Sequence, residues 1–152
     1  MEEKYIEFLK KCESYNKDVF DYIEYRTTYV DYRQKGSMDF VGCYPIIQDG
    51  IVKDIWLCVP KIVDDISVSI NIHEYIHLLR VYSFLGKKFI ESENEEVMPV
   101  LYEFAFLNEV GNIDYLDKYK KAILAGDDEN LKRIITHSDS TDKVLKKLSR
   151  NT

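Results

Sequence analysis

Cysteine is scarce in this chain. Cys12, Cys43 and Cys58 are the only three, an odd number with no metal-type spacing. A disulfide framework and a cysteine-rich zinc module are thereby excluded. All three read as buried thiols of a reducing compartment. Long apolar runs are missing as well, and no stretch reaches the length that a bilayer-spanning helix needs. Positive charge is in deficit, with 21 Lys and Arg against 27 Asp and Glu and a net charge of -6. Proteins grip phosphate backbones through clustered cations, so nucleic acid is not an expected partner. The one basic stretch, residues 143–150, reads as a solvated helix face. The opening residues are acidic and amphipathic, where a secretory signal would be basic and then apolar, so a cytoplasmic protein is expected. Repeats and low-complexity tracts are absent from the sequence.

What is present is a globular balance. In 152 residues, 45% hydrophobic and 32% charged, there is material for one ordinary domain with a core that needs no covalent staples. Tyr5, Phe8, Leu9, Cys12, Tyr15, Val19, Tyr22 and Ile23 recur at three- and four-residue steps, which predicts an amphipathic helix over the first 24 or so residues. Residues 27–33, 40–47 and 51–59 read as strands of a small antiparallel sheet, with Asp49-Gly50 as a hairpin turn. Pro45 lacks an N–H, which predicts an edge or a bulge there. An apolar segment over residues 66–85 reads as a buried helix capped by Asp64 or Asp65 and ended by Gly86. A polar, acidic linker over 87–94 follows. Further helices are expected from about Met98 to Val110, over 113–125, from a cap at Asp127 to Thr136, and over 141–148. This order is an α+β pattern in which sheet and helices are segregated.

Histidine is as rare as cysteine, and its placement carries the most information. Of three histidines, two stand in His73-Glu74-Tyr75-Ile76-His77. Residues four apart share a helical face, so both imidazoles can reach one metal while Glu74 sits beside them as a general base. The bland alternative is a pair of surface histidines, but two imidazoles and a carboxylate on a buried helix need partners. Zinc commonly takes three protein ligands and leaves a fourth position to water. The metzincin solution, a glycine and a third histidine just downstream, is excluded because Arg80 and Ser83 stand there. A glutamate from the next helix remains, from among Glu91, Glu93, Glu95, Glu96 and Glu103. Glu91, Glu93 and Glu95 read as a solvated linker. Glu96 and Glu103 are two turns apart on an apolar helix, which suits a ligand and a carboxylate that orients a histidine, and Glu96 is the chosen ligand.

Residues 73–103 resemble the active-site helices of gluzincins, and the glutamate-proline-glutamate pattern is most like that of oligoendopeptidases of the thimet oligopeptidase type. There a first glutamate binds zinc and a second follows seven residues later, which matches Glu96 and Glu103 here, although proline falls three residues after Glu96 instead of two. A weaker likeness is to small regulatory metallopeptidases of mobile elements. The resemblance implies a zincin-like fold, one Zn²⁺ per chain held by His73, His77 and Glu96, and a peptide or protein substrate. Peptide-bond hydrolysis by metal-activated water, with Glu74 as base, is the expected function. The alternatives are a non-catalytic zinc-site domain that binds another protein, and an enzyme that uses the same centre on another amide or ester. A donor to the oxyanion is sought among Tyr102, Tyr115, Tyr119 and His137, the last on a polar stretch that reads first as surface. Residues 51–59, just ahead of the motif helix, are expected to offer an exposed edge to an extended peptide. Trp56 reads first as a core residue and second as a cleft wall.

Overall fold

The first helix, α1 (Glu2–Lys11), buries Tyr5, Phe8 and Leu9 along one stripe. It does not continue through residue 24 as its periodicity predicts. The chain breaks at Glu13, which has φ 55, and restarts as α2 (Lys17–Ile23). Local hydrogen bonds explain the break: the Asn16 side chain accepts from the N–H groups of Asp18 and Val19, an N-cap. The buried Tyr75 hydroxyl accepts from the Asn16 N–H and donates to the Ser14 carbonyl, tying the bend to the centre of the molecule. This computed structural model describes residues 2–137, so the helix expected over 141–148 and the basic stretch 143–150 lie outside the described residues.

Three strands follow: β1 (Thr27–Val30), β2 (Gly42–Gln48) and β3 (Ile51–Pro60), in the order β1-β3-β2. The sheet is mixed and not antiparallel throughout. β3 runs antiparallel to β2 but parallel to β1, with Thr27 opposite Leu57. Residues 31–41 carry the chain past the central position to the far edge, and the hairpin then folds β3 back into the middle, where it must run with β1. Asp49 and Gly50 make that turn with φ of 55 and 78, the pair of positive angles that a type I′ hairpin requires. The first strand stops short of residue 33, and Phe40 belongs to a 3₁₀ turn (Ser37–Phe40), so β2 starts later than residue 40. Pro45 is on an edge strand, with a bulge just after it between Ile46 and Ile47. Trp56 is 46% exposed, opposite Tyr44 on the outer face of the sheet, and is not a core residue.

Against the inner face lies α3 (Asp65–Ser83), packed also on α1. Val68, Ile72, Tyr75 and Leu78 bury into the core with Ile55, Val59, Phe8 and Leu9. Asp64 caps α3: its carboxylate accepts from the Ser67 N–H at 2.9 Å and the Ser67 hydroxyl accepts from the Asp64 N–H at 3.0 Å, a reciprocal capping box. Asp64→Ala should therefore cost about 1–2 kcal/mol of stability in urea unfolding. No loss would mean that the cap is dispensable. At the far end Gly86, with φ 79, lets its N–H reach the Val52 carbonyl at 2.8 Å and returns the chain to β3.

α4 (Val97–Glu109) is buried almost all round, which explains its lack of an apolar stripe. Leu101, Tyr102, Ala105 and Phe106 face the main core, and Val100, Phe104 and Leu107 face α5 (Ile113–Leu124) and α6 (Glu129–His137). Asp128, not Asp127, caps α6 by accepting from the Leu131 N–H. The architecture is α+β, and among the described residues no helix is long and apolar enough to cross a membrane.

Candidate metal centre

α3 and the start of α4 bring the site together. His73 and His77 lie one turn apart on the side of α3 that faces α4, with ring centroids 5.0 Å apart and side chains only 14% and 16% exposed. Glu96, the residue before α4, reaches between them. Its Oε2 is 2.9 Å from His73 Nε2 and its Oε1 2.9 Å from His77 Nε2. Potential ligand atoms of His73, Glu74 and His77 lie within 4.8 Å of one another.

Glu103, two turns along α4 from Glu96 and 4% exposed, accepts from His73 Nδ1. Glu103 Oε1 also accepts from the Tyr119 hydroxyl at 2.8 Å. A proton on Nδ1 fixes the tautomer and leaves Nε2 to face the Glu96 carboxylate. A nitrogen lone pair against an anion is repulsive, so each Nε2···carboxylate approach demands a cation between the two, either a proton or a metal. Ligands about 2.0–2.1 Å from a tetrahedral zinc are roughly 3.3 Å from each other, only a few tenths of an ångström wider than the separations here. Two imidazoles and a carboxylate that share one focus, with an outer carboxylate on one imidazole, fit zinc.

Without metal, protons take that place. Burial alone would depress the His73 pKa, but hydrogen bonds to Glu103 and Glu96 outweigh it and raise the pKa to about 10. The same bonds from His73 and His77 hold Glu96 far below the usual carboxylate range. At neutral pH the metal-free His73 therefore carries a proton on Nε2 that a metal must displace, while Glu96 is already ionised. Zinc binding at pH 7 should release about one proton from His73, seen as a dependence of the calorimetric enthalpy on the ionisation enthalpy of the buffer. A buffer-independent enthalpy would contradict this assignment.

Glu74 lies on α3 beside both histidines, within electrostatic reach of the sheet. It is 8% exposed, and desolvation raises its pKa. Its charge is felt by Cys43 and Cys58 on β2 and β3, and burial and Glu74 together push the Cys43 thiol up to about 12. An open cleft of about 300 Å³ runs along this side, lined by His73, Glu74, Glu103, Tyr115 and Tyr119, with Met38, Val41 and Ile70 as its apolar wall.

The tyrosine candidates separate. Tyr119 lines the cleft but is committed to Glu103. Tyr115 lines it too, and its hydroxyl has no hydrogen-bond partner among the described residues. Tyr102 is 2% exposed in the core, edge-on to Phe8, away from the cleft, because its position on α4 turns it toward α1. His137 ends α6, and its side chain lies outside the described residues. The acidic linker divides as well. Glu91 and Glu93 are exposed, whereas Glu95 is half-buried against Arg80 and is not a freely solvated residue. Met38, Val41 and Ile70 carry no signal in the sequence, because a cleft wall assembled from a 3₁₀ turn, a loop and a distant helix leaves no local pattern. Cys12 and Cys58 are buried, Cys43 is half-buried, and all three are free thiols. No protein-family model, curated protein or solved structure matches the chain.

Proposed function

We propose that the protein is a zinc-dependent peptidase of gluzincin type on a zincin-like scaffold, with one Zn²⁺ held by His73, His77 and Glu96. The observation that carries this reading is the convergence of both Nε2 atoms on the Glu96 carboxylate, beside a buried Glu74 that lines a cleft together with His73. Bound there, zinc would polarise a substrate carbonyl and lower the pKa of a bound water to roughly 7.

The chain's own residues supply the rest. Glu74, in a desolvated position that strengthens its hold on a proton, accepts one from the attacking water and delivers it to the leaving amine. Glu103 fixes the His73 ring through Nδ1 and is itself fixed by Tyr119. Tyr115, with its unengaged hydroxyl at the cleft, is the residue suited to donate to the developing oxyanion. β3 is central and cannot offer an edge, so the strand that would take an extended peptide is β2, which is the free edge on the α3 side. The intact Glu74 favours catalysis over a purely structural metal, which has no use for a base.

The test is cleavage of a broad peptide library and of co-expressed host proteins by the zinc-loaded chain. Products should appear with zinc and vanish after chelation. No turnover on any of them, together with a protein side chain in the fourth zinc position, would replace the enzyme with a zinc-site binding module.

A further inference from the structure

Arg80 stands one turn beyond His77 on the stripe of α3 that carries both imidazoles. Its guanidinium is where the segment between α3 and α4 is gathered. Nη2 donates to the Ile90 carbonyl and lies 3.0 Å from Glu95 Oε1. The guanidinium carbon sits 5.0 Å from the ring centroid of Phe84 and 5.3 Å from that of Phe89, and the two rings meet edge to face. Glu95 in turn accepts from the Ser92 N–H at 2.9 Å, closing the turn that ends at Glu96. Glu96 occupies the N-cap position of α4 but makes no side-chain cap bond, so its carboxylate is not anchored by the helix it precedes. Where Glu96 points depends on the segment before it, and that segment is tied to α3 through Arg80.

We infer that Arg80 is a positioning residue for the third metal ligand. By holding Ile90 and Glu95 it sets where α4 begins and aims Glu96 at the two histidines, an inference that rests on the zinc reading above. The geometry uses what distinguishes arginine from lysine, a flat guanidinium that lies over two aromatic rings while one of its nitrogens, Nη2, donates to a carbonyl and pairs with a carboxylate. Electrostatics alone would act with the opposite sign, since a cation near a divalent site weakens metal binding and its removal would tighten it. The sign of the effect therefore separates positioning from simple charge.

The experiment is zinc affinity, measured by competition with a chromophoric chelator, for the full chain and for Arg80→Met and Arg80→Lys. Arg80→Met is also made in a Glu96→Ala background. Arg80→Met should weaken zinc on the order of 10- to 100-fold, as loss of an outer orienting partner does, and Arg80→Lys should recover part of that. Where Glu96 is already absent, Arg80→Met should change affinity by less than about twofold, because the residue acts through that ligand. The visible cobalt(II) spectrum of Arg80→Met should shift toward that of Glu96→Ala. Unchanged or tighter zinc binding, or the same factor lost in both backgrounds, would overturn the inference. If Arg80→Met does not fold, Glu95→Gln carries the same test, with weaker zinc expected and unchanged zinc overturning it. A wild type that binds no zinc refutes the metal reading and this inference with it. Tight wild-type zinc beside an unmoved Arg80→Met refutes the inference alone.

Discussion

Glu74→Gln should lower peptide cleavage by about 10²- to 10⁴-fold, the range a positioned general base contributes, while the protein keeps its fold and its zinc. The substitution preserves the shape of a side chain that is only 8% exposed, so it opens no cavity in the wall between α3 and the sheet. The amide is neutral and cannot take a proton from water. It also removes an anion from a place where desolvation disfavours one, so stability should hold or rise slightly. Turnover, zinc content and the unfolding midpoint must be measured on the same preparation. Turnover within about tenfold of wild type would remove Glu74 from the base role, because among the described residues no other carboxylate that lines the cleft is free: Glu103 is committed to His73 and Tyr119.

His73→Ala and His77→Ala should each abolish zinc binding at stoichiometric concentrations, an effect well beyond the roughly 10- to 100-fold expected from an outer partner such as Glu103. Glu96→Ala should weaken zinc by more than any outer partner does while leaving two-histidine binding that chelator competition still measures, Glu95→Ala should be milder, and Glu93→Ala, at an exposed linker position, neutral. The two histidine variants should differ in the metal-free state. His73→Ala takes away the imidazole that donates to Glu103, leaving a 4% exposed carboxylate with Tyr119 as its donor, and a buried charge stripped of its partner is costly. His77→Ala strands no such group. The metal-free His73→Ala protein should therefore unfold at lower denaturant than metal-free His77→Ala. Full zinc retention in both variants would remove the site altogether.

What the sequence revealed and what it hid follow from the range of the interactions. That His73 and His77 share one side of α3 is legible because their relation is local: four residues on a helix fix one face. The pairing of Glu96 with Glu103 was readable for the same reason, two turns apart on a segment too apolar to tolerate idle carboxylates. The hairpin at Asp49-Gly50 and the cap at Asp64 are also local chemistry. The parallel pairing of β1 with β3 is not, because it depends on where residues 31–41 lead the chain, and strand periodicity does not encode direction. The break at Glu13 is hidden by an apolar spacing that suits one helix or two, whereas the Asn16 cap and the contact of Tyr75 with Ser14 and Asn16 hold the bend. Alternation along a strand does not say which face the helices cover, so Trp56 reads as core in the sequence and is exposed in the fold. Glu95 looked like its solvated neighbours because its partner, Arg80, comes from the preceding helix.

An X-ray absorption spectrum at the zinc edge of the purified chain tests the central claim most directly. One zinc per chain is expected, with two imidazole nitrogens and the remaining ligands oxygen, at about 2.0–2.2 Å, and no sulfur shell near roughly 2.3 Å. A protein that holds no zinc, or a spectrum with sulfur or a single imidazole in the first shell, would contradict the assignment of His73, His77 and Glu96.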